Sequence, residues 1–386
     1  MTKDKARVSD ILIVGGGVIG LSIARALSKK GCGRITILER GEIGKEASFA
    51  AAGMLAPQAE TDASDEFFHF CSESNASYPQ FAEELRDETG VDIELDRSGT
   101  LYLAFTEHDS AEIRRRYEWQ KSARLEVEHL TAQETRKTEP FVSPDVLESL
   151  LFPNDRQVEN RKLLHALRKF AEINGIGIRE NTEVKNLSID CGRITGVETG
   201  TEKFSAEIVV LATGAWTSLI KADSFFLPQI KPIRGQMMSF FNAQRMFSRV
   251  IYSPRGYLVP RADGRILAGA TVEDAGFDKS VTDAGIALLR DHALEIAPSL
   301  VNLEIRESWA NLRPFAADGL PVLGAIAGCE NLFVATGHYR NGILLAPLTA
   351  KIMADKIVDG KDSDYLRSFG VRRFRMNNLQ ALKTTV

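Results

Sequence analysis

The run Asp10-Ile11-Leu12-Ile13-Val14-Gly15-Gly16-Gly17-Val18-Ile19-Gly20 decides the fold of this chain. It reads as a short apolar strand that breaks into glycines and then enters a helix predicted over 18–30. Gly15, Gly17 and Gly20 have the G-x-G-x-x-G spacing of a dinucleotide-binding turn. Gly15 permits the tight turn, Gly17 lets backbone approach a pyrophosphate, and Gly20 lets helix pack on strand. The helix start offers free N–H groups and the positive end of a dipole, both suited to phosphate. A second strand, 34–38, ends in Glu39, roughly twenty residues past the last glycine. A carboxylate there can accept hydrogen bonds from a ribose 2′-OH and would repel a 2′-phosphate, which disfavours NADP. A structural turn without ligand, or an NAD-dependent dehydrogenase, stays open on this motif alone.

The 386 residues suffice for two lobes with a sizeable core. A composition of 44% hydrophobic and 26% charged residues is that of an ordinary soluble protein. The net charge of −4 gives no support for binding nucleic acid or an anionic membrane. No apolar run is long enough to span a bilayer, and the charged opening residues lack the h-region of a signal peptide. Cys32, Cys71, Cys191 and Cys329 are scattered without a C-x-x-C, which predicts reduced thiols and a cytoplasmic location. No metal-ligand spacing occurs, so no metal is expected.

Along the chain, the spacing predicts helices over 65–90, 107–125, 163–174, 283–297 and 343–358. Strands are predicted at 99–105, 178–180, 183–189, 193–199 and 203–206. The apolar run 207–212 reads as a strand buried in a parallel sheet and ends in a second glycine turn, Thr213-Gly214-Ala215-Trp216. A β-rich region follows over 230–278. A third strand, 331–336, runs into Gly337-His338-Tyr339-Arg340-Asn341-Gly342 and a helix whose N-terminus could face a cofactor.

These motifs together resemble the D-amino-acid oxidase family of FAD-dependent oxidoreductases over nearly the whole chain. The resemblance is carried by the Gly15–Gly20 turn with Glu39-Arg40, by Ser48-Phe49-Ala50-Ala51-Ala52-Gly53-Met54-Leu55 and by Leu211 to Trp216. It continues in Lys231-Pro232-Ile233-Arg234-Gly235-Gln236, Tyr257 to Arg261, Leu312-Arg313-Pro314 and Asp318 to Pro321. The long run Gly337 to Pro347 is the most specific of them. The resemblance implies an α/β chain: a discontinuous Rossmann-like FAD-binding domain (1–90, 151–226, 313–375) and a second, mixed-sheet α+β substrate domain (91–150, 227–312). A tail covers 376–386; the C-terminal stretch Lys361 to Val386 is expected to be solvated and to pack on the FAD domain through Tyr365, Phe369 and Phe374.

Matched position by position, the family's FAD contacts fall on Gly15, Gly17, Val18, Ile19 and Gly20 for the pyrophosphate and on Glu39 and Arg40 for the ribose. Ala47, Ser48, Ala52, Gly53 and Met54 would pass close to the flavin. Val184 would hold adenine from a strand, and Thr213, Gly214 and Trp216 line the mid-chain turn. His338, Tyr339, Arg340, Asn341, Gly342, Ile343 and Leu344 would wrap the flavin ring. A related covalent flavin site has a cysteine just before the proline at 314; Ala310-Asn311-Leu312-Arg313 holds none, so non-covalent FAD is expected.

The implied reaction is oxidation of glycine and other small amines (sarcosine, small D-amino acids) by hydride transfer from Cα to flavin N5 and then to O2. It gives an imine and then glyoxylate, ammonia and hydrogen peroxide, with a role in forming the thiazole of thiamine. The resemblance assigns Arg313 as a bidentate carboxylate anchor, Tyr257 as a hydroxyl donor to the same group and Arg340 as a second substrate contact, with no obligatory base. Arg313 could instead be a structural ion-pair partner, Tyr257 a core aromatic and Arg340 a flavin or backbone contact. A homo-oligomer is expected, the resemblance implying a tetramer. The rivals are a D-amino-acid or sarcosine dehydrogenase that passes electrons to a carrier, and a flavin-binding protein without turnover.

Overall fold

The computed structural model describes residues 7–222, 225–329 and 331–374. Its first sheet grows from the strand Arg7–Val14, in which the side chains from Ile11 to Val14 alternate between two apolar layers. Ile11 and Ile13 enter one layer and Leu12 and Val14 the other, as the two-residue period of a strand buried on both faces requires. Ile35–Leu38 pairs parallel on one side and Lys203–Leu211 parallel on the other. Gly177–Arg179 and Leu332–Thr336 extend the parallel sheet outward, and Val322–Ala325 closes one edge antiparallel. Three separate stretches of chain therefore build one sheet.

The helices Val18–Lys29, Glu66–Thr89, Asn160–Ile173 and Gly342–Asp359 pack together over one face of it. Their ends follow local chemistry. Asp65 caps Glu66–Thr89 by accepting from Phe68 N–H, and Gly90, at φ 72°, ends it in the left-handed conformation. On the chain beyond Gly342–Asp359, Phe369 and Tyr365 pack against Phe70, with ring centroids 5.3 and 4.7 Å away. Phe374 packs on the opposite apolar layer, and the tail 376–386 lies outside the described residues.

The second sheet has eight strands, drawn from 100–152 and 230–316. Its longest pair is Ile230–Phe241 with Ile305–Ala316, antiparallel, with Ile233 opposite Arg313 and Gly235 opposite Asn311. Alternation again sorts the faces. Met238, Phe240, Leu258 and Ile266 pack beneath the helix Asp283–Ile296. Met237, Tyr257, Val259 and Leu267 face the other way and meet Ala52 of the small-residue run.

Four expectations need correction. The domain boundaries at 150/151 and 312/313 fall inside the strands Glu148–Phe152 and Ile305–Ala316, because Phe152 still pairs with Thr100 and Ala316 with Ile230. The two strands expected at 203–206 and 207–212 are one, Lys203–Leu211. The strand expected over 183–189 begins only at Asn186. Asn181 N–H and Thr182 N–H donate to Gly41 and Glu39 carbonyls, so Val184 is carried on a connecting segment instead of a strand.

Candidate active site

A cleft of about 1120 Å³, mouth included, opens at the carboxyl ends of the parallel strands, where open α/β sheets bind ligands. It is lined by Gly15, Gly17, Val18, Ile19, Glu39, Arg40, Ala47, Ser48, Val184, Thr213, Gly214, Trp216, His338, Tyr339, Arg340, Gly342 and Ile343. Both helix starts, at Val18 and at Gly342, reach it. Glu39 is buried and locked: Oε2 accepts Gly16 N–H at 2.8 Å and Oε1 accepts Gly41 N–H at 2.9 Å. Ser48 Oγ accepts Val18 N–H at 3.0 Å, tying the second loop to the helix start. Arg40 stacks over Trp216 at 4.5 Å.

Two predicted contacts stand elsewhere. Gly20 does not line the cleft; a Cβ on it would lie 2.0 Å from Gly15 O, so its part is to let the helix rest on the turn. Leu344 is buried in the main apolar layer and lines neither chamber. Its carbonyl accepts from Ser74 Oγ at 2.6 Å, while Tyr78 Oη donates to Ile343 O, so the helix Glu66–Thr89 holds this helix start in place.

The run from Ser48 to Gly53 is held through its carbonyls. Asn160 Nδ2 donates to Ser48 O and Phe49 O, both at 2.9 Å. Trp309 Nε1 donates to Ala50 O at 3.0 Å and Arg261 Nη2 to Ala52 O at 2.7 Å. Val158 N–H donates to Gly53 O at 2.9 Å. Gly53 sits at φ 70°, and a Cβ there would be 2.1 Å from Val158 O. Asn160, Arg261 and Trp309 come from distant parts of the sequence, so the run is positioned by the assembled fold.

This run also borders a second chamber, of about 710 Å³. Ala52, Gly53, Met54, Glu60, Gly235, Met237, Tyr257, Arg313 and Asn341 line it, and it shares Ala47, Ala51, Tyr339, Arg340 and Ile343 with the first. Arg313 Nη1 donates to Thr271 O at 2.9 Å, and among the described residues no carboxylate pairs with it. Its guanidinium lies over Gly235, where a Cβ would come within 2.1 Å of Nη1. Tyr257 is buried, which pushes its phenol pKa up and keeps it protonated; its hydroxyl donates to Met237 Sδ at 3.2 Å. The two side chains meet above Gly269, where a Cβ would touch both.

Arg340 is engaged differently from the expectation of a free substrate contact. Its Nε and Nη2 donate to the two Glu60 oxygens at 3.0 and 2.8 Å, and Nη2 also to Tyr252 Oη at 2.9 Å. Glu60 beside it holds its pKa well above the ordinary value. His338 is buried with Nε2 3.2 Å from Thr349 Oγ1, and burial lowers its pKa to about 3, so it is neutral at any working pH.

Glu60, Gly235, Asn160 and Arg261 are functional positions that sequence reasoning missed. Gly235 and Arg261 did lie inside runs that carried the resemblance, and a glycine inside a strand was the available sign of a close approach. Glu60 and Asn160 sit in no motif, and their partners are remote.

The residues fit FAD. Gly15, at φ 108°, could bear no Cβ without meeting Ala212 O at 2.3 Å, so glycine lets the first turn pack against the mid-chain turn where both line the cleft. A helix start for phosphate, a buried acid for ribose and a second helix start beside the chamber joint match a long dinucleotide better than a small ligand. Among the described residues no acid, histidine and cysteine group could hold a metal ion, and no helix is long and apolar enough to cross a membrane.

Comparison with known proteins agrees. The family model described as FAD dependent oxidoreductase matches residues 10–356. The glycine oxidase of Geobacillus kaustophilus is 36% identical over 368 residues, covering 94% of this chain and 97% of that one. A crystal structure of glycine oxidase from that organism superposes with a TM-score of 0.90 at 35% identity, covering 95% and 98% of the two chains. The bifunctional protein ThiO/ThiG of Synechocystis sp. is 37% identical over 373 residues; these cover 95% of this chain, which spans about half (54%) of that relative.

Proposed function

We propose that this chain, which belongs to the family of FAD-dependent oxidoreductases, oxidises glycine and other small amino acids with O2. O2 is reduced to hydrogen peroxide as the amine becomes an imine, and water hydrolyses the imine to glyoxylate and ammonia. One observation carries the reading: Arg313 is a guanidinium without a carboxylate partner among the described residues, in a chamber that joins the cofactor cleft. A guanidinium so placed is built to grip a carboxylate.

FAD, when bound, supplies the acceptor for the hydride. The chain supplies orientation. Arg313 takes the substrate carboxylate, and the protonated Tyr257 hydroxyl can turn from Met237 Sδ to donate to the same group. Glu39, the two helix starts and the clamped run from Ser48 to Gly53 hold the cofactor. No chamber residue is poised as a base, since His338 is neutral and engaged and Glu60 is paired. The substrate amine must therefore arrive neutral. No cysteine lines either chamber, which supports a non-covalent cofactor. The relatives named ThiO/ThiG support a place in thiamine thiazole formation. A cytoplasmic location and a homo-oligomeric assembly belong to the same proposal; the four free cysteines support the first.

The test is a peroxide-coupled assay with glycine, sarcosine, D-alanine and D-proline on the wild type and Arg313→Met. Loss of a desolvated charge pair costs about 2–5 kcal/mol, so kcat/KM for glycine should fall by roughly 30- to 4,000-fold with FAD still bound. Anaerobic bleaching of the flavin by glycine without aerobic peroxide would make the protein a dehydrogenase. No bleaching by any of the four amines would refute the proposal.

A further inference from the structure

Glu60 places a negative charge in the substrate chamber, and the roles given to Arg313 and Tyr257 make no use of it. Its carrier, the short helix Pro57–Glu60, is fixed from below. Arg116 Nη1 donates to Ala59 O at 3.2 Å and Thr61 O at 2.8 Å, and Asp155 accepts from Gln58 N–H at 3.1 Å and Ala59 N–H at 3.3 Å. The backbone that carries Glu60 cannot shift without breaking that network. Its side chain is only 9% exposed, and both its oxygens are committed to Arg340.

The consequence is a charge count. Two guanidiniums and one carboxylate line the chamber, leaving one net positive charge. That charge belongs to Arg313, because Arg340 is already matched in a bidentate pair. A second carboxylate brought to Arg340 would have to share it with Glu60, and two carboxylates on one site repel strongly where water is scarce. Glu60 thus acts against unwanted substrates as well as for Arg340.

We propose that Glu60 is a specificity-determining residue: by occupying Arg340 it restricts the chamber to amino acids with one carboxylate and rejects those with two. This rests on the reading of Arg313 as the carboxylate anchor. Removing the Glu60 charge uncovers a second carboxylate site on Arg340.

The probes are acetate and malonate, titrated into FAD-loaded wild type and Glu60→Gln and followed by the flavin absorbance spectrum. Turnover of glycine and iminodiacetate is measured on the same proteins. In the wild type malonate should bind no tighter than acetate. In Glu60→Gln malonate should gain at least about tenfold over acetate, and the iminodiacetate-to-glycine ratio of kcat/KM should rise at least about tenfold. Both gains should vanish in Glu60→Gln/Arg340→Met. A purely structural Glu60 would change overall activity but not these ratios, and unchanged ratios in a flavin-bearing Glu60→Gln overturn the proposal. Malonate binding the wild type about tenfold tighter than acetate also overturns it, and decides the matter alone if the variant loses its flavin. Should the wild type fail to oxidise glycine while the anion ratios behave as stated, the oxidase reading falls and the role of Glu60 stands.

Discussion

Arg261 offers the strictest test of how the small-residue run is held. It is 4% exposed and makes four hydrogen bonds. Nη1 donates to Gln157 Oε1 and Val158 O at 3.1 and 2.9 Å, and Nη2 to Ala52 O and Asn160 Oδ1 at 2.7 and 3.2 Å. Burial draws its pKa down to about 10, still far enough above neutrality to leave it charged. Arg261→Met keeps much of the volume and removes every donor. It strands Ala52 O and takes one of two cations from the buried Glu159, which keeps Arg265 at 2.6 Å. Four lost bonds at about 1 kcal/mol net each, or one broken buried ion pair at about 3–5 kcal/mol, give the same scale. Urea unfolding of the FAD-free protein should therefore show a loss of about 3–5 kcal/mol. FAD affinity, read by fluorescence quenching, should fall at least about tenfold, because the backbone at Ala52 and Gly53 loses its register beside the chamber. Arg261→Lys should lie between, having a charge but no fork. If Arg261→Met leaves stability and FAD affinity within about 0.5 kcal/mol of the wild type, the run holds itself and the clamp is wrong.

Three other outcomes are expected. Gly235→Ala puts a Cβ 2.1–2.4 Å from the Arg313 guanidinium, a flexible side-chain end, so KM for glycine should rise about tenfold or more while the urea midpoint barely moves. The Asp155 carboxyl is raised to about 8 by burial against an ordinary 3.8; the unfolded chain releases that proton first, so its stabilising contribution is present below pH 3.8 and is lost as pH climbs through 8. The stability gap between Asp155→Asn and wild type should accordingly grow in favour of the variant by at least about 1 kcal/mol from pH 4 to pH 8, measured by urea titration. With His338 neutral above about pH 3 and Tyr257 protonated, kcat/KM for glycine should climb steadily from pH 6 towards the ionisation of the free amine; a bell shape centred near neutrality would reveal a protein base.

The parts of the fold legible in the sequence are those whose causes are local. The strand Arg7–Val14, the helix Val18–Lys29 and the Asp65 and Gly90 ends of the long helix all follow from neighbouring residues, through alternation, glycine spacing and capping. The errors arise where pairing partners lie far along the chain. Ile305–Ala316 continues past the expected domain boundary because Ile230–Phe241 offers it a full-length partner. Val184 lies off any strand because Asn181 and Thr182 donate back to the Glu39 loop, some 140 residues earlier.

The candidate site divides along the same line, and the division explains its chemistry. Arg313 and Tyr257 could be singled out by resemblance to a family, but whether Arg313 is free or structurally paired depends on what stands beside it. Arg340 shows the point: an arginine in the most specific motif of the chain proves to be matched by Glu60, which lies in none. Two arginines of identical intrinsic charge thus stand in different surroundings, one with no carboxylate partner among the described residues and one in a bidentate pair with Glu60. The difference comes from a four-residue helix buttressed by Arg116 and Asp155, contacts between residues 55 to 97 positions apart. Charge in this chamber is set by such distant pairings. Substrate choice should therefore respond to Glu60, Gly235 and their supports as sharply as to the residues that touch the substrate.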